Sequence, residues 1–152
     1  MINRLEAGDR APAFTLVDQH GDKVKLTDFR GTRVLLFFYP KALTSGCTSQ
    51  ACGLRDIAPD IGDTQIIGSS PDSPDKQLAF DDKHSLGYPL LSDPEHKVAD
   101  RYGAWGPKKL YGREYEGIIR SAFLIDEKGK IEQAWYKISP KATPQKLMEA
   151  LS

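Results

Sequence analysis

VLLFFYPKALTSGCTSQACGLRD, residues 34–56, decides how this chain is read. Val34 to Tyr39 is a continuous apolar run rich in β-formers, as expected of a strand at a sheet centre with both faces covered. Pro40 ends it, because proline lacks the N–H a ladder needs. A helix follows from about Gly46 or Cys47 to Ala58, with Pro59 helping to close it. Cys47 and Cys52 are the only cysteines in the chain, and both fall at this strand-to-helix junction.

Outward from that stretch the pattern alternates. Ala13 to Val17 and Lys23 to Leu26 flank the turn Gln19-His20-Gly21-Asp22 and predict an N-terminal hairpin. Gln65 to Ser69 is a further buried strand. Ser73-Pro74 reads as N-cap and first helical residue of a helix to about His84. Leu90 to Ser92 is a short strand, and Asp93-Pro94 repeats the cap signal before a helix ending near Tyr102-Gly103. Gly117 to Asp126 reads as one strand, turned at Glu127 to Lys130 into Ile131 to Tyr136. Thr143-Pro144 caps a last helix whose Leu147, Met148 and Leu151 share one apolar face. This order predicts an α/β fold with a mixed central sheet flanked by helices. It resembles a thioredoxin-like core with an N-terminal β-hairpin extension and an insertion.

The 152 residues suit one domain, 1–152, with a sizeable core. Formal net charge is zero, so no basic surplus exists to grip nucleic acid or an anionic membrane. The longest apolar run is far too short to span a bilayer. MINRLEAGDRAPAF lacks the apolar core of a secretory signal, which makes the cytoplasm the expected compartment. Structural disulfides are rare there, so the closeness of two cysteines needs another explanation.

A helix N-terminus carries unpaired N–H groups and the positive end of the helix dipole. A thiol there finds its thiolate stabilised, and its pKa is expected below the free value of about 8.5. Cys47 is therefore a candidate redox nucleophile and Cys52 its resolving partner; the alternative is a buried small hydrophobe. Gly46 is expected to let the backbone approach closely or take an unusual conformation. Thr44 places a hydroxyl one turn before the sulfur. In an intact helix five residues turn a side chain by roughly 140° net and rise about 7.5 Å, whereas a disulfide wants Cα atoms within about 7 Å. Bridging Cys47 to Cys52 thus requires the first turns to unwind.

A zinc site needs about four ligands, and His20, His84 and His96 form no motif with the cysteines. Arg120 begins a buried strand, where a charge is expensive unless paired. Beside Cys47 its guanidinium would stabilise thiolate and hold an oxygen; otherwise it is a strand-end arginine reaching solvent. Tyr102, Trp105, Tyr111 and Tyr115 flank the Gly-rich segment 103–117, either as packing or as a rim for substrate. Lys108-Lys109 reads as a solvated loop, and Arg55 and Asp56 as helix-surface or packing pairs.

Pro40-x-x-x-Thr44-x-x-Cys47 with a distant strand Arg120 resembles the active-site signature of peroxiredoxins. YPKALTSGCTSQACGLRD is similar to the bacterioferritin comigratory protein subgroup, also called peroxiredoxin Q. GDRAPAFTLVDQHGDKVKLTDFRG, SPDSPDKQLAF, PLLSDPEHKVADRYGAWG and GIIRSAFLIDEKGKI extend the likeness over nearly the whole chain. The resemblance implies a thiol peroxidase for hydrogen peroxide and organic hydroperoxides. Cys47 would be the peroxidatic cysteine, Thr44 and Arg120 would bind and polarise peroxide, and Pro40 would shield the site. Cys52 would resolve the intermediate as an intramolecular disulfide, recycled by thioredoxin. No haem, flavin or metal is implied, and the subgroup's members are often monomers. One position departs: Ser45 stands where the subgroup usually has proline, which predicts a more mobile loop and easier local unfolding. Two further classes remain: a thiol–disulfide oxidoreductase on the same fold, and a non-catalytic binding protein whose cysteines are incidental.

Overall fold

The computed structural model describes residues 4–151. Its strands are β1 (Thr15–Val17), β2 (Lys23–Lys25), β3 (Val34–Phe38), β4 (Gln65–Ser70), β5 (Leu90–Ser92), β6 (Trp105–Leu110), β7 (Arg113–Ile118), β8 (Ser121–Ile125) and β9 (Ile131–Tyr136). The helices are α1 (Ser45–Ile57), α2 (Pro74–His84), α3 (Lys97–Arg101) and α4 (Ala142–Leu151). Seven strands make one mixed sheet in the order β2-β1-β5-β4-β3-β8-β9. β3, β4 and β5 run parallel, and β8 lies antiparallel to β3. The expected α/β architecture is therefore present. The N-terminal hairpin joins this sheet rather than standing apart, through the single pair Val17–Ser92.

β3 sits between β4 and β8, and every one of its residues is buried. Side chains of a strand alternate between faces. Leu35, Phe37 and Tyr39 pack on one side with Ala51 and Leu54 of α1, Phe80 of α2 and Leu147 of α4. Val34, Leu36 and Phe38 pack on the other with Val98 and Ala99 of α3, Tyr102 and Phe123. Each such apolar side chain contributes roughly 1.5–3 kcal/mol on full burial, so β3 is the seam of both cores.

Four elements differ from the sequence reading. The predicted strand Gly117 to Asp126 is two strands in two sheets. β7 pairs with β6 in a separate ribbon, and β8 enters the main sheet. The break falls at Ile119-Arg120, where Ser121 Oγ donates to Ile119 O and Ile138 N donates to Arg120 O. The Gly-rich segment supplies the other ribbon strand, closed at Tyr111-Gly112 with both φ values positive (51° and 77°), the geometry of a tight hairpin turn. Lys108 and Lys109 are thus strand residues, not loop.

α3 starts at Lys97, after the Asp93-Pro94 turn. Asp93 Oδ2 still accepts from Val98 N and Ala99 N, so the acidic cap acts from further back. In α4, Leu147 is fully buried but Met148 is 39% exposed. The apolar face is narrower than the spacing suggested: Leu147 and Leu151 pack on the core cluster and Met148 does not.

Candidate active site

The register of the sheet assembles the site. Phe38 at the end of β3 pairs with Ser121 at the start of antiparallel β8. Arg120 therefore lies beside the loop that leaves β3 and the N-terminus of α1. The carboxyl ends of parallel strands are where α/β sheets place their ligands.

Thr44 is the N-cap of α1, with extended backbone (φ −84°, ψ 156°). Cys47 is the third helical residue, and the first intrahelical bond runs from Thr48 N to Thr44 O. The N–H of Cys47 is thus one of the four at a helix start without an intrahelical partner. Its Sγ lies at the positive end of the helix dipole, and the residue is only 1% exposed. Arg120 Nη2 donates to Cys47 Sγ at 3.3 Å.

The guanidinium is aimed by a neighbour the sequence reading did not single out. Arg120 Nη1 donates to Gln50 Oε1 at 2.6 Å. Gln50 Nε2 donates to Thr143 Oγ1 at 2.9 Å, and Thr143 Oγ1 donates to Ser139 O. Gln50 is completely buried, and its two-ended amide joins the arginine to the start of α4. Among the described residues no carboxylate forms an ion pair with Arg120. Gln50 was legible in principle: it stands three residues after Cys47, on the same helix face.

A second network holds the loop. Tyr39 OH donates to Gln77 Oε1, Gln77 Nε2 donates to Ser70 Oγ, and Ser70 Oγ donates to Asp72 Oδ2. Asp72 Oδ2 also accepts from Ala42 N at 2.7 Å. Burial pushes the Tyr39 phenol far above its usual range, so it stays a neutral donor. The chain tying the loop to β4 is complete from sheet to backbone amide.

Thr44 Oγ1 donates to Lys41 O at 2.7 Å and does not cap the helix. With its proton committed, this oxygen offers lone pairs as an acceptor. Pro40 is half-buried where β3 becomes loop. Gly46 does not have the role expected of it. Its φ is not positive, and a Cβ there would meet Arg120 Nη2 at 3.5 Å and Pro140 Cγ at 3.6 Å, ordinary contact distances. Helix α1 begins at Ser45 without the proline.

Cys47 and Cys52 are free thiols in one continuous helix, the first buried and the second half-buried. Trp105 stacks on His96 with ring centroids 3.7 Å apart, while Tyr111 at the ribbon tip is 97% exposed. Of the two alternatives for these aromatics, a substrate rim is not formed by Trp105 and Tyr111. Among the described residues no group of three or more His, Cys, Asp or Glu could hold a metal ion, and no helix is long and apolar enough to cross a membrane.

Residues 7–134 match the model of the AhpC/TSA family. The chain is 49% identical over 152 residues to a putative peroxiredoxin of Haemophilus influenzae, covering 99% of this chain and 98% of that protein. The chain belongs to the peroxiredoxins of the AhpC/TSA family. Peroxiredoxin Bcp of Escherichia coli is 50% identical over 136 residues, 88% of this chain and 87% of that protein. Among solved structures, peroxidoxin BcpB of Mycobacterium tuberculosis superposes with a TM-score of 0.86 at 33% identity, covering 97% of each chain. As a peroxiredoxin this protein is a thiol peroxidase, an oxidoreductase on a thioredoxin-type fold, and it belongs with the Bcp members. Peroxiredoxins act on peroxides and are reduced by thiol partners.

Proposed function

We propose that Cys47 is the peroxidatic cysteine and Cys52 the resolving cysteine of an atypical two-cysteine cycle. The observation that carries the reading is the 3.3 Å hydrogen bond from Arg120 Nη2 to Cys47 Sγ at the start of α1. That charged donor holds the sulfur beside a guanidinium whose fork of N–H groups can also bind a peroxide oxygen. Hydrogen peroxide or an organic hydroperoxide is held with its oxygens toward Arg120 and the Cys47 N–H. Its O–H points to Thr44, whose oxygen is free to accept. Pro40 narrows access beside the sulfur.

The Cys47 thiolate attacks the terminal oxygen in line. An S–O bond forms, the O–O bond breaks, and the leaving oxygen takes a proton to become water or alcohol. Positioned donors stabilise the charge that develops on it. The first turns of α1 then unwind, as the geometry of an intact helix requires. The Cys52 thiolate attacks the sulfenic sulfur, closing an intramolecular disulfide and releasing water after one proton is taken up. An external dithiol opens it by exchange and is itself oxidised. Thioredoxin as that dithiol and a monomeric state follow from the resemblance to the peroxiredoxin Q subgroup, and a cytoplasmic location is proposed with them.

The test is stopped-flow Trp fluorescence of reduced protein mixed with hydrogen peroxide, followed by intact mass. A fast change and a loss of two hydrogens, both absent in Cys47→Ser, are expected. Cys52→Ser should consume one equivalent, then stall and over-oxidise. Full thioredoxin-coupled turnover by Cys52→Ser would remove its resolving role. No oxidation at micromolar peroxide over minutes would replace the mechanism with disulfide exchange.

A further inference from the structure

Next to the proposed site lies a cleft of about 370 Å3 that the reaction scheme does not use. Three cations, Arg120, Lys108 and Lys137, line it together with the apolar side chains of Ile119 and Ile138. Lys109 also lines it and faces Glu114 in the ribbon register. Sheet register explains the convergence: Tyr136 pairs with Ser121, so Lys137 follows β9 where Arg120 precedes β8.

Three features mark the cleft as built. Lys108 is half-buried, and its stem passes over Gly117, where a Cβ would meet Lys108 Cδ at 3.2 Å. Its ammonium sits 6.0 Å from the centre of the Tyr115 ring, directly across the ribbon. Lys137 takes a left-handed backbone (φ 54°), a conformation that persists for a non-glycine residue only where its surroundings fix it. Among the described residues neither Lys108, Lys137 nor Arg120 has an ion pair with a carboxylate. Burial first, and then the Arg120 charge, pull the Lys108 ammonium below its ordinary range, while the Cys47 charge opposes that shift. Lys108 is half-buried and Lys137 exposed, and an anion entering between them would offset the repulsion that Lys108 feels from Arg120.

We propose that this cleft is a carboxylate subsite of the peroxidase, selecting small hydroperoxides that carry an acid group a few carbons from the O–O bond. This deepens the peroxidase reading and rests on it. The volume is at the small end of ligand pockets, about 300–1,000 Å3, which suits a short acid. The carboxylate pairs with Lys108 and Lys137, the hydrocarbon link lies on Ile119 and Ile138, and the peroxide oxygens reach Arg120 and Cys47. The chemistry is unchanged: sulfur takes the terminal oxygen, the O–O bond breaks, and the alkoxide takes a proton to leave as a hydroxy acid.

The experiment compares tert-butyl hydroperoxide with 3-hydroperoxy-3-methylbutanoate, the same tertiary hydroperoxide bearing one carboxylate. The readout is the ratio of their second-order rate constants for oxidising the reduced full chain, which cancels any general change in Cys47 reactivity. The wild-type ratio is expected to favour the acid by at least about fivefold at low ionic strength and to shrink in 0.5 M salt. Lys108→Gln and Lys137→Gln should each lower it by roughly two- to fivefold, the scale of a partly solvated ion pair. A ratio near one in the wild type, or one that neither substitution lowers, overturns the subsite. If both peroxides react rapidly while the ratio is flat, the peroxidase reading stands and only the subsite falls. If neither peroxide oxidises Cys47, it is the peroxidase reading that fails.

Discussion

Gln50→Leu tests how the arginine is aimed. The substitution keeps the approximate volume of a completely buried side chain but removes the Oε1 that accepts from Arg120 Nη1 at 2.6 Å. A hydrogen bond to a charged group contributes about 1.5–3 kcal/mol. If that energy fixes the guanidinium where charge develops, the second-order rate constant with hydrogen peroxide falls roughly 10- to 150-fold. Losing the Gln50 donor also leaves Thr143 Oγ1 without its partner, although that hydroxyl keeps its own bond to Ser139 O. The decisive assay is a double-mutant cycle by stopped flow, with Arg120→Ala as the second arm and urea unfolding as the control for stability. Because Gln50 acts through Arg120, its substitution should cost little once Arg120 is gone, giving a coupling of at least about 1 kcal/mol. Losses that simply multiply would refute the reasoning, as would a Gln50→Leu protein reacting within threefold of wild type.

Three further outcomes are expected. Ser45→Pro places proline at the first helical position, where its missing N–H costs nothing and its φ is pre-set. It should stabilise the start of α1 by about 0.4–1 kcal/mol and slow disulfide closure about two- to fivefold without slowing sulfenic acid formation; equal slowing of both steps would sink the unwinding step. At Gly53 a Cβ would lie 2.8 Å from Pro144 Cγ. The roughly 1 kcal/mol helix-propensity gain of Gly53→Ala should be exceeded by an overpacking cost of about 1–3 kcal/mol. Net destabilisation in urea, relieved by Pro144→Ala, is the expected result, and a stabilised single variant would contradict it. Burial, the largest cause in each case, raises the phenols of Tyr39, Tyr88 and Tyr102. Their stabilising effect is complete below the unfolded value of about 10 and is lost as pH rises above it, by roughly 1.4 kcal/mol per pH unit for each. Phenolate absorbance should therefore rise in a cooperative step together with loss of near-ultraviolet circular dichroism; three buried phenols ionising gradually in folded protein would be inconsistent with it.

What the sequence carries is local. The unbroken apolar run Val34 to Tyr39 specified a strand with two covered faces, and the alternation of its side chains between two cores followed from the pleat. Ser73-Pro74 specified a helix start, and Ser73 Oγ does accept from Lys76 N. Cys47 at a helix N-terminus was legible for the same reason: caps and prolines act over three or four residues. Helix spacing likewise foretold that Cys47 and Cys52 cannot bridge while α1 is intact.

Only the tertiary structure decided which distant groups meet. Arg120 was poised between solvent and sulfur until the pairing of Phe38 with Ser121 put it beside a cysteine 73 residues away. Gln50 became a positioning residue because Thr143, from another helix, closes its second hydrogen bond. The run Gly117 to Asp126 reads as one strand because β-propensity is blind to which sheet a residue joins. Lys108 reads as loop because nothing local shows the ribbon folding it back toward Arg120. Periodicity and capping are written in neighbouring residues, whereas register and burial are set by contacts that exist only once the sheet has closed.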